Sequence, residues 1–172
     1  MSLSMYDLSV PTFLHTLGTL KAVLQKAVAH AEAKKFDPNV LVGVRLAPDM
    51  LPLSKQIQIA SDAAKGAGAR LSGTEAPKFE DNETTMDQLI ARVDKTVTYL
   101  NSVDAKLFEG ADTRTITLVT PQQTLGGSMS GLNFLRYRAV PNFYFHVSTA
   151  YALLRHNGVE IGKSDYLGRI ES

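Results

Sequence analysis

Cysteine is absent from the 172 residues. That excludes disulfides, thiolate metal ligands and a cysteine nucleophile together, so any chemistry has to use imidazole, carboxylate, hydroxyl or a borrowed cofactor. A surplus of charge is missing too. The 18 basic and 17 acidic residues leave a formal charge of +1 and are scattered without a long block of either sign. Nucleic-acid binding requires a basic stripe, so no nucleic-acid partner is expected, and an anionic membrane surface is disfavoured for the same reason. No apolar run approaches the roughly 20 residues of a spanning helix. The opening MSLSMYDLSV lacks the charged start and apolar stretch of a secretion signal, which makes the cytoplasm the expected location. The sequon at Asn82 is then an accidental match.

What remains is an ordinary globular composition, 44% apolar and 20% charged, in a length that suits one domain over residues 1–172. The first helix is expected to start at Ser9, with Pro11 in its first turn, where the missing N–H is harmless. Leu14, Leu17, Leu24, Val28 and Ala31 recur at helical spacing, and Lys34 and Lys35 close the helix. The proline-rich stretch FDPNVLVGVRLAPDMLPL reads as a connection with one helical turn after Asp37 and Pro38. Asp49 is expected to cap a second helix that reaches Leu71 and stops at Gly73. Within it, Gly66 and Gly68 imply close approach of another chain segment or a ligand.

After the polar connector TEAPKFEDNE, Thr85 and Gln88 match a capping box. Met86, Leu89, Ile90, Val93, Val97 and Leu100 then keep the clearest helical spacing in the chain. The period changes in TRTITLVT and NFLRYRAV, which read as two strands joined by the loop TPQQTLGGSMSG. Pro141 restarts a helix that ends at Asn157 and Gly158, and a tail turn capped by Ser164 follows. The expected fold is all-α: an antiparallel four-helix bundle with a short β-hairpin between the third and fourth long helices.

Two polar pairs interrupt the apolar helices. Asn142 and His146 stand four residues apart on helix four, and Gln58 and Asp62 four apart on helix two, with Asp49 one or two turns earlier. Buried amides and carboxylates are costly unless partnered, so pairs that face inward are expected to meet. They would then form either an internal hydrogen-bond network, in which Gln58 or Asp62 fixes the His146 tautomer, or a pocket for a small molecule or metal at the bundle mouth. Exposure of both pairs is the third possibility. His15 and His30, about 20 Å apart along one helix, cannot share a ligand, and His156 suits its helix C-terminus. No nucleophile elbow accompanies Ser148.

The blocks LAPDMLPLSKQIQIASDAAKGAGARL and VPNFYFHVSTAYALLRHNGVEIGKSDYLG resemble a bacterial family of uncharacterised domains within the DinB/YfiT-like superfamily. The resemblance implies a four-helix bundle, often dimeric, so a homodimer is expected. It also implies a divalent metal held by one histidine on the second helix and two at H-x-x-x-H on the last, in some members with thiol-dependent transferase activity. Those positions fall near Gln58 and on Asn142 and His146, so one imidazole is left. A tight three-histidine site is excluded, His146 with Asp62 is at most a weak ion site, and no cofactor is expected. Three functions stay open: a binding protein or minor enzyme using Asp49, Gln58, Asp62, Asn142 and His146 for a small polar ligand; a metal-assisted, thiol-dependent transferase or hydrolase; and a dimeric structural module.

Overall fold

The computed structural model describes residues 4–118 and 127–169. Long helices α1 (Val10–Lys34), α2 (Leu53–Ser72) and α3 (Met86–Ser102) come first, with short 3-10 helices at Pro38–Gly43 and Ala105–Phe108. Strands β1 (Thr115–Leu118) and β2 (Gly127–Ser130) pair antiparallel, Ile116 facing Met129. One continuous helical run follows: α4 (Gly131–Phe134), a π-helical turn (Leu135–Ala139) and α5 (Val140–His156), with α6 (Lys163–Leu167) as the tail. Among the described residues no helix is long and apolar enough to cross a membrane.

Side-chain pairings give the helix directions. Lys21 meets Asp94 at 2.7 Å and the Asn39 side chain accepts from Met86 N–H, so α1 and α3 are antiparallel. Gly68 lies against Leu100 while Asp62 meets Arg92, so α2 and α3 run in the same direction. Phe13 and Phe143, both fully buried, meet edge-on at 5.0 Å and tie α1 to α5. Since α2 and α3 are parallel, the connector over 73–85 must travel back along the bundle. It does so in the groove between them, carrying Phe79, Asp81 and Glu83 past α2.

Two glycines in α2 answer to close approach. A methyl at Gly68 would sit 2.8 Å from Leu100 Cδ2, in the buried core. A methyl at Gly66 would overlap the Arg70 guanidinium, which folds back along the helix so that its Nη1 donates to Gly66 O at 3.1 Å.

Several local expectations hold. Thr85 and Gln88 form the capping box, Pro11 lies in the first turn of α1, and Gly73 ends α2 in the left-handed conformation, with φ 73°. Others are corrected. Asp49 does not cap α2: the helix begins after Pro52, and Asp49 lies exposed on the preceding turn. Ser9 turns its hydroxyl back to Met5 O instead of capping α1, and α6 starts after Gly162, whose N–H the Asp165 carboxylate accepts. The second strand is not NFLRYRAV but Gly127–Ser130, and Asn133–Val140 is helical. Alternation of large apolar and basic residues there is equally compatible with a helix having one apolar flank. Of the expected first strand and loop, residues 119–126 lie outside the described residues.

The π-helical turn has a plain cause. Pro141 has no N–H to give to the carbonyl four residues back, and Val140 N–H bonds five back to Leu135 O. Widening by one residue lets the chain continue into α5 without a break.

Packing around the two glycines is testable by urea unfolding. Gly68→Ala should lower stability by up to about 2 kcal/mol, because overpacking at Leu100 costs more than the roughly 1 kcal/mol that alanine adds to a helix. Gly66→Ala, which displaces only a flexible side-chain tip, should match or exceed wild type.

Candidate functional site

Helix α5 lies antiparallel along α2, and Gln56 and His146 meet on their seam. At one end His146 is buried, 8% exposed, and its Nδ1 lies 2.7 Å from Gln56 Oε1. Gln56 Nε2 donates to Leu51 O at 3.0 Å, which fixes the orientation of the amide. Its oxygen must therefore accept, the imidazole proton sits on Nδ1, and Nε2 carries the lone pair. Burial holds the His146 pKa below the ordinary 6.5, so the ring is neutral at pH 7.

Gln56, not Gln58 or Asp62, therefore sets the tautomer. Gln58 faces the other way: its Nε2 donates to Glu83 Oε2 at 2.8 Å. It belongs to a charged knot around Arg92, whose side chain is 1% exposed. Arg92 donates to Glu83 Oε1 at 2.9 Å, Glu80 O at 3.0 Å and Asp62 Oδ1 at 3.1 Å, and pairs with Asp81 at 3.0 Å. Asp62 also takes Lys65 Nζ at 2.8 Å. Phe79 lies beneath three cations, with Lys65 Nζ 4.1 Å, Lys95 Nζ 5.0 Å and the Arg92 guanidinium 5.7 Å from its ring centre. Burial pushes the Glu83 pKa up, but hydrogen bonds from Arg92 and Gln58 outweigh it and hold the carboxyl below its ordinary 4.5. The knot clamps the returning connector onto α2 and α3.

Asp62 also borders a second space. Between α2 and the π-helical turn of the last helix lies a cleft of about 220 Å³, lined by Ile59, Asp62, Ala63 and Arg70 on one side, with Phe134, Arg138, Ala139 and Asn142 on the other and Leu118 at its edge. It brings together Asp62 and Asn142, one member of each polar pair. Gln58 and His146 do not line it, and Asp49 lies off it on its exposed turn. A larger hollow of about 350 Å³ opens under the connector, walled by Phe79, Glu83, Arg92 and Lys95. Its central charges are already matched within the knot, whereas the α2 and α5 cleft has a polar wall with unused hydrogen-bonding capacity.

Gln56 and Arg92 were detectable in the sequence. Gln56 interrupts the stripe Leu53, Ile57, Ala60, Ala64, and Arg92 sits between Leu89 and Thr96 on the apolar face of α3. A polar residue on an apolar stripe must find a partner. Arg138 escaped because its segment reads as a strand.

The donor set does not fit the metal that the family resemblance implies. Only one imidazole lies at the seam, with Nε2 its single available donor, the neighbouring groups are amides, and Asp62 is held by Lys65 and Arg92. Amide oxygens are poor ligands for metals that prefer nitrogen and sulfur. Among the described residues no three His, Cys, Asp or Glu side chains gather as a metal-binding group.

Two measurements probe these arrangements. Arg92→Met removes the buried cation that compensates half-buried Glu83, and should cost about 3 kcal/mol in urea unfolding. A folded-state His146 pKa below its unfolded value means that stability is fully present above pH 6.5 and declines as pH falls through the folded value. His146→Leu should flatten stability between pH 8 and 5 relative to wild type; an unchanged slope would assign the titration elsewhere.

Comparison with known proteins places this geometry. Residues 5–167 match the family model described as a domain of unknown function, DUF1993. A crystal structure of a DinB family member protein from Shewanella denitrificans at 1.83 Å resolution is similar, with TM-score 0.90 and 45% identity over 98% of this chain and 94% of that one. No curated protein matches. The chain belongs to the DUF1993 family and has a DinB-like fold.

Proposed function

We propose that this DinB-like protein binds a small polar ligand in the cleft between α2 and α5, without a tight metal site. One observation carries the reading: the cleft collects Asp62, Asn142, Arg70 and Arg138 around the apolar side chains Ile59, Ala63, Phe134 and Leu118. A concave, largely apolar space with a few convergent polar groups is the common form of a small-molecule site. Its volume, about 220 Å³, is below the roughly 300–1,000 Å³ typical of drug-sized ligands, which favours a compact ligand. The π-helical turn supports the same reading, since such turns often occur at functional sites and this one carries Arg138 and Ala139 to the cleft wall.

His146 has a supporting role in this reading. Its bond to Gln56 and the bond of Gln56 to Leu51 O hold α5 in register with the start of α2, and so hold the cleft open to the right width.

A thermal-shift screen of small polar compounds tests the proposal. Compounds that raise the Tm of the wild-type protein should lose most of that shift with Asn142→Ala, which removes an amide from the wall. Ala63→Phe, which fills the cleft from α2, should abolish the shift. Shifts that survive both changes would place the binding elsewhere and refute the reading.

A further inference from the structure

We propose that the ligand of this cleft is an anion, carrying a carboxylate or phosphate group that Arg138 and Arg70 bind; this rests on the ligand-binding reading above. The charges around the cleft decide it. Asp62, the one acid in the lining, already has two cations on its Oδ1, Lys65 at 2.8 Å and Arg92 at 3.1 Å. Arg138, half-buried in the opposite wall, has no acidic partner among the described residues, and neither has Arg70. Among those residues, the cleft is therefore lined by two guanidinium groups without an acidic partner, Arg138 half-buried and Arg70 at the exposed edge.

The sequence makes this imbalance systematic. Between Asp112 and Glu160 the chain has no acidic residue at all, while it has Arg114, Arg136, Arg138 and Arg155. That interval includes α4, the π-helical turn and α5, the whole of one cleft wall. It also includes residues 119–126, VTPQQTLG, so that segment has no carboxylate to offer. In a chain with nearly equal numbers of acids and bases overall, the only charge that this wall brings to the lining is the cation of Arg138.

The placement of Arg70 is specific. It folds over Gly66, a position where any side chain would displace it, and its guanidinium lies 6.0 Å from the Phe134 ring in the lining. A planar guanidinium held against an aromatic face keeps its outer N–H edge free for an oxyanion. Asn142 adds a neutral amide that can donate to the same ligand or accept from a hydroxyl on it.

The probes are inorganic phosphate, acetate and neutral acetamide, titrated into full-length protein labelled for arginine Nε–Hε and asparagine side-chain resonances. Phosphate or acetate should move the Arg138 and Asn142 signals saturably, and acetamide should leave them in place. Arg138→Gln should weaken binding about tenfold, with Arg138→Lys intermediate because charge is kept and the planar fork lost. Gly66→Ala, which keeps every charge and moves only Arg70, should weaken it by roughly threefold, and this variant guards against loss of folding. The stronger of the two anions identifies the ligand as a phosphate or a carboxylate. If acetamide moves Asn142 while neither anion moves Arg138, the anion inference falls and the ligand-binding reading stands. If no probe moves either residue, and the compounds found by thermal shift leave them unmoved too, both fall.

Discussion

The packing of α2 on α5 is the contact on which the rest of the molecule depends. It brings together an alanine-rich buried face of α2, with Ala60, Ala64 and Ala67, and α5, where Ala150 and Leu153 are buried. Short side chains let the helix axes approach closely, and close approach leaves little room for polar groups. Those that remain must be partnered or pushed to the rim. Gln56 and His146 are partnered. Asp62, Asn142 and Arg138 are at the rim and enclose a cleft.

The parallel course of α2 and α3 has an equally direct effect on the other side of α2. A connector that must return the length of the bundle brings three acids, Glu80, Asp81 and Glu83, into the α2 and α3 groove. Arg92 binds all of them, by side chain or backbone. An ion cluster of this kind adds little net stability over an apolar replacement, but breaking it is expensive, so it enforces one connector path. Asp62 belongs to both halves: its bonds to Arg92 and Lys65 cancel the charge it would otherwise project into the cleft. The knot on one flank of α2 thus pairs the one acid of the cleft lining, while Arg70 and Arg138 have no acidic partner among the described residues.

The helices were legible because their signals are local. The capping box at Thr85, the glycine after Ser72 and the apolar spacing of α3 act within one or two turns, and each appears where the residues place it. The start of α2 and the second strand were not, since Asp49 and the NFLRYRAV segment obey local preferences that packing overrides. The polar pairs show a subtler limit. Residues four apart share a helix face, yet Gln58 and Asp62 sit where α2 turns from α5 toward α3, so Gln58 goes to Glu83 and Asp62 touches both sides. Spacing reveals that groups share a face, but not which neighbour that face meets. Gln56, two residues earlier on the apolar stripe, is the residue that reaches His146.

The absence of cysteine allows the most direct test of an anion-binding cleft on the α2 and α5 seam. Ala63→Cys introduces the only thiol, at a half-buried position in the cleft lining, and its rate of alkylation by a small neutral reagent can be followed with and without saturating phosphate or acetate. The expected result is protection of that introduced thiol by the anion, with the protection lost when Arg138→Gln is added. Alkylation at the same rate in every condition would contradict the cleft as a ligand site.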